Sequence, residues 1–253
     1  MKTLRHTPRR ARQAGFTLVE MLVAVTIGLV VIFGMTATFV NLKNTFRSQD
    51  KLGQLQDNER LALTFLTNSV NEAGYYPDPK NASPINVPAT AAPATVPVSP
   101  GGTMPAGMGI YGTADGGTAT SPESLQTAYA STNTDGLLSC IGTSYAGAGT
   151  HSVRNIYYVD PATSSLMCRV LLDGLASDTM TNSGTPQVLV TGIKTMQVVY
   201  GLATGGGTQV TTYVGPGSVT AWDTVKAVRI TLNFANPFGG ADIVRTHTIN
   251  LMN

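Results

Sequence analysis

Hydrophobic positions along the chain fall into three regimes. Residues 16–40 are apolar or small almost throughout, interrupted by one ionised side chain, Glu20. At 1.5 Å per residue, this run of about 25 residues is long enough to cross a bilayer as a helix. From residue 41 onward the pattern becomes periodic. Leu52, Leu55, Ala62, Leu66, Val70 and Ala73 recur at helical spacings, with Gln54, Asp57, Glu59, Arg60 and Asn68 between them. That spacing predicts an amphipathic helix with one stripe for a core. Gly74, followed by Tyr75-Tyr76-Pro77, supplies the stop signal. Residues 16–73 therefore read as one helix of roughly 85 Å, with 16–40 in lipid and 41–73 packed on a domain.

The third regime is strand-like. Val228, Ile230, Leu232 and Phe234 alternate with Arg229, Thr231 and Asn233, and Met196, Val198, Tyr200 and Leu202 repeat the alternation; this is the pattern of half-buried antiparallel strands. Strands are predicted over 124–130, 153–159, 166–172, 187–202 (two strands, broken near Thr191-Gly192), 210–214, 225–234 and 242–251. A helical turn is expected around Trp222, over 219–224. Turn chemistry separates these elements, including Asp135-Gly136, Asp160-Pro161 and Asn236-Pro237. Between helix and strands, residues 77–107 carry eight prolines spaced by Ala, Thr, Val and Ser, and read as an extended surface loop. A long helix followed by strands gives an α+β class, with the β-rich head at 108–253.

Charge sharpens this picture at the N-terminus. Lys2, Arg5, Arg9, Arg10 and Arg12 precede the apolar run with no acidic residue among them. The positive-inside rule then places residues 1–15 in the cytoplasm and the chain beyond about residue 41 outside it. The formal net charge of +2 is misleading, because eleven basic side chains against fourteen acidic ones leave the rest of the chain at −3. A basic nucleic-acid footprint is absent. The apolar run exceeds a secretory h-region, and no small-residue cleavage site follows it. A cut before the run fits better than one after it. Glu20 is the outlier, since an acid within a membrane-length segment is a functional-site hypothesis by default; the bland alternative is an interfacial acid snorkelling to water.

Gly15-Phe16-Thr17-Leu18-Val19-Glu20 between a basic leader and a membrane-length helix resembles the cleavage motif of type IV prepilins. The resemblance implies removal of residues 1–15 by prepilin peptidase between Gly15 and Phe16, then N-methylation of Phe16. It also implies a role for Glu20 in assembly, its charge paired with the terminal amine of a neighbouring subunit. The implied fold is a pilin-like lollipop, a long helix packed on an antiparallel β-sheet head. Major pilins commonly carry a proline about twenty residues into the mature helix. Here that neighbourhood reads Met35-Thr36-Ala37-Thr38, with glycines only at 28 and 34, which weakens a bulk-filament role and leaves a minor-subunit role standing.

Passages in the head resemble the PilW family of minor pilins: Leu55-Gln56-Asp57-Asn58-Glu59-Arg60 with Ala73-Gly74-Tyr75-Tyr76, Asp135-Gly136-Leu137-Leu138-Ser139-Cys140, Leu166-Met167-Cys168, and 189–201. A later passage, 222–230, is similar both to that family and to one class of type II secretion pseudopilin. The implied function is structural: priming and assembly of a type IV pilus, with a place at its tip. The implied partners are other minor pilins, the major pilin, the inner-membrane assembly platform, a tip adhesin, and membrane lipid before assembly. The implied localisation is the inner membrane with a periplasmic head, then the extracellular pilus. A minor pseudopilin and an adhesin-docking subunit are the alternatives.

Cys140 and Cys168 both fall on the predicted non-cytoplasmic side, where oxidation is permitted and a disulfide is the expectation. No enzyme signature competes with the structural reading. His6, His151 and His247 are scattered, and there is no G-x-S-x-G, H-E-x-x-H or P-loop. Gly107-Met108-Gly109-Ile110-Tyr111-Gly112 spells G-x-G-x-x-G, but it follows a proline-rich stretch and opens no predicted helix. No metal or cofactor is expected.

Overall fold

The computed structural model describes residues 15–77, 104–105, 107–114, 122–172, 184–204 and 207–251. The leader before Gly15 and most of the proline-rich stretch lie outside the described residues. Two compact units emerge, Met1–Lys51 and Leu52–Asn253. A single helix, α1 (Leu18–Glu72), runs through both. It starts two residues later than the apolar run suggests, because Thr17 takes the capping position. Residues 18–54 carry almost no buried surface, whereas Leu55, Ala62, Leu66, Ser69 and Val70 form a buried stripe farther along. The spacing of that stripe is the periodicity read from the sequence.

Two antiparallel sheets follow. The first has the order β1-β2-β3-β4-β5, built from β1 (Ile110–Thr113), β2 (Ser124–Ser131), β3 (His151–Asp160), β4 (Ser165–Leu172) and β5 (Gln187–Thr191). The second has the order β7-β6-β8-β9, from β6 (Ile193–Ala203), β7 (Val210–Val214), β8 (Val225–Phe234) and β9 (Ile243–Asn250). Together with α1 these give the pilin-like α+β class. The sequence pattern anticipates every strand except β1, whose four residues include a glycine. The helical turn expected over 219–224 is a 3₁₀ turn at Trp222–Thr224, and a second 3₁₀ turn, Pro216–Ser218, comes just before that region.

The break at Thr191-Gly192 does more than separate two strands: β5 ends the first sheet and β6 begins in the second. Gly192 has φ +82°, a backbone conformation that side chains with a Cβ resist. Its carbonyl accepts from Ala235 N at 2.9 Å, and Asn58 Nδ2 of α1 donates to Thr191 O at 3.1 Å. One apolar cluster contains the helix stripe, inward residues of the first sheet such as Leu125, Tyr157 and Val170, and inward residues of the second such as Val198, Ile230 and Leu232.

The glycines at 109 and 112 have a packing explanation. A Cβ on Gly109 would collide with the backbone of Gly74, and one on Gly112 with the Tyr200 hydroxyl. The segment runs into β1 rather than opening a helix, so the G-x-G-x-x-G spelling reflects close packing and no phosphate cradle. Tyr111, Tyr200 and Trp222 meet at this junction, with ring centroids 4.7 Å apart and tilted (Tyr111–Trp222) and 4.8 Å apart edge to face (Tyr200–Trp222). Burial pushes the Tyr200 phenol well above its ordinary pKa.

Candidate functional site

The residues singled out by sequence occupy two separate places. At the start of α1, Gly15, Phe16 and Thr17 precede the helix and Phe16 is 85% exposed. Glu20 N donates to Thr17 Oγ1 at 3.3 Å, and Met21 N to Thr17 O at 3.2 Å. Thr17-Leu18-Val19-Glu20 thus has the spacing of a capping box, a hydroxyl at the N-cap with a glutamate three residues on. Sequence reasoning centred on membrane charge missed this, although the S/T-x-x-E pattern is plain in the residue order. Placed in the first turn, the Glu20 carboxylate complements the positive end of its own helix dipole.

A Cβ at Gly15 would meet nothing within 4 Å, and the same holds at Gly28 and Gly34. No contact in the described structure therefore demands glycine at these positions. Along the same stretch Leu18, Ile27, Val30, Phe33 and Met35 all lie more than half exposed, and together they are distributed around the helix. This helix is long and apolar enough to span a membrane, which suggests membrane anchoring. Thr36 Oγ1 donates back to Ile32 O at 2.8 Å and Thr38 Oγ1 to Gly34 O at 3.0 Å; both bonds satisfy hydroxyls on an otherwise apolar helix surface.

In the head, Cys140 and Cys168 form a disulfide. The bridge ties the loop after β2 to the inward face of β4. Around it runs a buried polar chain. Cys140 N donates to Asn155 Oδ1 at 3.1 Å, Asn155 Nδ2 donates to Ser69 Oγ of α1 at 3.4 Å, and Ser69 shares a short hydrogen bond with Thr127 on β2. Helix, β2, β3 and the disulfide loop are thereby linked through one asparagine that no pattern in the residue order singles out. Glu59 and Arg245 make an ion pair at 2.9 Å between α1 and β9, and Lys194 pairs with Asp242 at 2.6 Å.

No group of three or more His, Cys, Asp or Glu residues that could hold a metal occurs among the described residues. His151 Nε2 lies 3.1 Å from Ala148 O in the loop preceding β3, and His247 sits on β9.

No curated protein and no solved structure matches the chain. Residues 10–36 match the family model described as the prokaryotic N-terminal methylation motif, which covers Gly15, Phe16 and Glu20. Residues 156–251, from within β3 to just past β9, match the family model described as Type IV Pilus-assembly protein W. A methylation-motif match near the N-terminus and a pilus-assembly match in the second half of the chain are together consistent with a type IV prepilin-like minor pilin.

Proposed function

We propose that this chain is a structural subunit that helps to prime type IV pilus assembly and takes a place at or near the pilus tip. Prepilin peptidase cuts between Gly15 and Phe16, and the new amine of Phe16 is methylated. The stem then leaves the bilayer and packs laterally against the stems of other minor pilins and of the major pilin. The head stays in the periplasm until the fibre carries it outward. Pilin families are structural subunits, and catalysis has no part in this reading.

The observation that carries the proposal is the surface of α1. Its first half is apolar on all sides and contains one acid near its start, so it needs either lipid or other helices around it. Moving from lipid to a helix bundle leaves Glu20 buried, and a buried carboxylate needs a cation. The Phe16 amine of an adjacent subunit supplies one. Thr17 keeps the helix start formed while that exchange takes place.

The test has three arms. Mass measurement of the mature N-terminal peptide should give methyl-phenylalanine at Phe16; an intact leader, or a cut near residue 40, overturns the processing route. Glu20→Ala should be processed normally and remain in the membrane fraction while its incorporation into sheared pili falls at least tenfold. Wild-type incorporation of that variant removes the assembly role of Glu20. Deletion of the gene should abolish pili and leave protein secretion intact; the reverse outcome assigns the subunit to a secretion pseudopilus.

A further inference from the structure

Four strands stand at sheet edges, and three of them are blunted. β1 has only four residues. β7 has five, and its pairing with β6 is interrupted by a register shift at Leu202/Ala203. β5 pairs with β4 through a shift at Leu166/Met167, and its last carbonyl, Thr191 O, accepts from Asn58 of α1. β9 has none of these devices. It runs for eight residues, pairs with β8 without a register shift, and contains neither proline nor lysine. Edges usually carry such protection, because a row of unpaired N–H and C=O groups recruits other strands.

The hydrogen-bond phase of β9 fixes which groups are free. Leu251 N donates to Lys226 O at 2.8 Å in the register of the ladder, so Ile243, Arg245, His247 and Ile249 bond to β8. Val244, Thr246, Thr248 and Asn250 therefore turn their N–H and C=O groups outward. Among the described residues, the contact on that side is Arg245 Nη1 to Val244 O, a long 3.4 Å. Every residue from Val244 to Thr248 is exposed.

We infer that β9 is a docking edge for an extended segment of a different protein, which joins the second sheet as a further strand. Main-chain bonds supply the affinity, and the two faces of β9 supply the selectivity. On the helix side, Arg245 is held through Nε by Glu59 of α1 at 2.9 Å, leaving Nη1 beside the free carbonyl, and Ile249 belongs to the core. On the other face, Thr246 and Thr248 bond to Thr231 and Arg229 of β8. A fitting segment sets a carboxylate opposite Arg245, a branched apolar residue opposite Ile249, and threonine-like residues opposite Thr246 and Thr248. A second copy of β9 fits less well. Its two fullest antiparallel registers bring Arg245 against the copy's His247, or His247 against itself, and neither offers an anion. The inference does not rest on the pilus reading.

The probe is a fluorescein-labelled peptide, Thr-Val-Thr-Val-Thr-Glu-Thr, written to lie antiparallel on residues 244–250 with its Glu opposite Arg245. Its anisotropy should rise saturably with the full chain in detergent. N-methylation of the third and fifth peptide residues, whose N–H groups face β9 in this register, should abolish binding. N-methylation of the second and fourth should not. Thr246→Pro removes one outward N–H and no bond to β8, and should weaken binding about tenfold. Arg245→Gln should weaken the Glu peptide about threefold and leave a peptide with Gln in that place unaffected. No saturable binding, equal binding by the two N-methylated peptides, or unchanged binding to Thr246→Pro overturns the inference. So does a dimer of the full chain that Thr246→Pro dissociates, since a second copy then takes the edge. The N-methylated pair needs no variant and decides the case should Thr246→Pro fail to fold.

Discussion

The two halves of α1 are the same secondary structure built for different solvents. In the first, residues such as Leu29 and Phe33 are exposed and no face differs from another. In the second, Leu55, Ala62, Leu66 and Val70 are buried on one face while Arg60 and Asn68 remain outside. A helix in lipid needs only uniform apolarity, because its backbone hydrogen bonds are internal. A helix on a water-soluble head needs an apolar stripe and a polar back. Stability of the head should therefore depend on the second half and be indifferent to side chains in the first.

Removing the disulfide is the largest expected perturbation of that contrast. Cys140→Ser with Cys168→Ser should destabilise the head by about 3.5 kcal/mol, as the chain-entropy treatment gives for a loop of this length. Denaturant unfolding of the full chain with and without reductant measures it, and membrane retention should not change. Leu66→Ala comes next, at roughly 3 kcal/mol, because a fully buried leucine leaves a cavity. Leu29→Ala in the stem is its control and should leave the unfolding midpoint of the head in place; an equal loss from both would end the distinction between the two halves.

Smaller effects fall at the edge of the head. Arg245→Gln breaks the pair with Glu59, but half of the Arg245 side chain is exposed. A loss of no more than about 1 kcal/mol is expected, and it should shrink in high salt. Glu72 at the C-terminal end of α1 is the smallest. Burial raises its carboxyl pKa above the ordinary value. The folded state therefore binds this proton more readily than the unfolded state. Its ionised form is a penalty above the ordinary glutamate range, and that penalty disappears as pH falls below it. Glu72→Gln should raise Tm slightly at pH 7 and not at pH 4.

Much of this architecture was legible from residue order, for stated reasons. Uniform apolarity over 16–40 and helical spacing over 52–73 need no tertiary information, nor does strict alternation over 228–234. The unreadable parts are those where distant segments decide the outcome. Strand β1 is short and contains Gly112, so it has little pattern of its own; its position depends on β2 and on the Tyr200 hydroxyl it must clear. The Thr191-Gly192 break was visible, but not the transfer from one sheet to another. Asn155 is one polar residue within an apolar strand, and only the partners Cys140 and Ser69 show what it does. Arg169 carries no sequence mark of full burial, since arginines on strands ordinarily face water.

Ala128 has a consequence of its own. Its carbonyl accepts from Gly74 N and its amide donates to Gly109 O, both at 2.8 Å. One residue of β2 thus clasps the chain where it departs after the helix and again where it comes back to begin β1. Whatever lies between those two points is a cassette with its ends already fastened. Lengthening such a cassette twofold adds only about 0.6 kcal/mol of closure entropy. The stretch most unlike any familiar pattern is therefore the one this framework leaves freest to diversify.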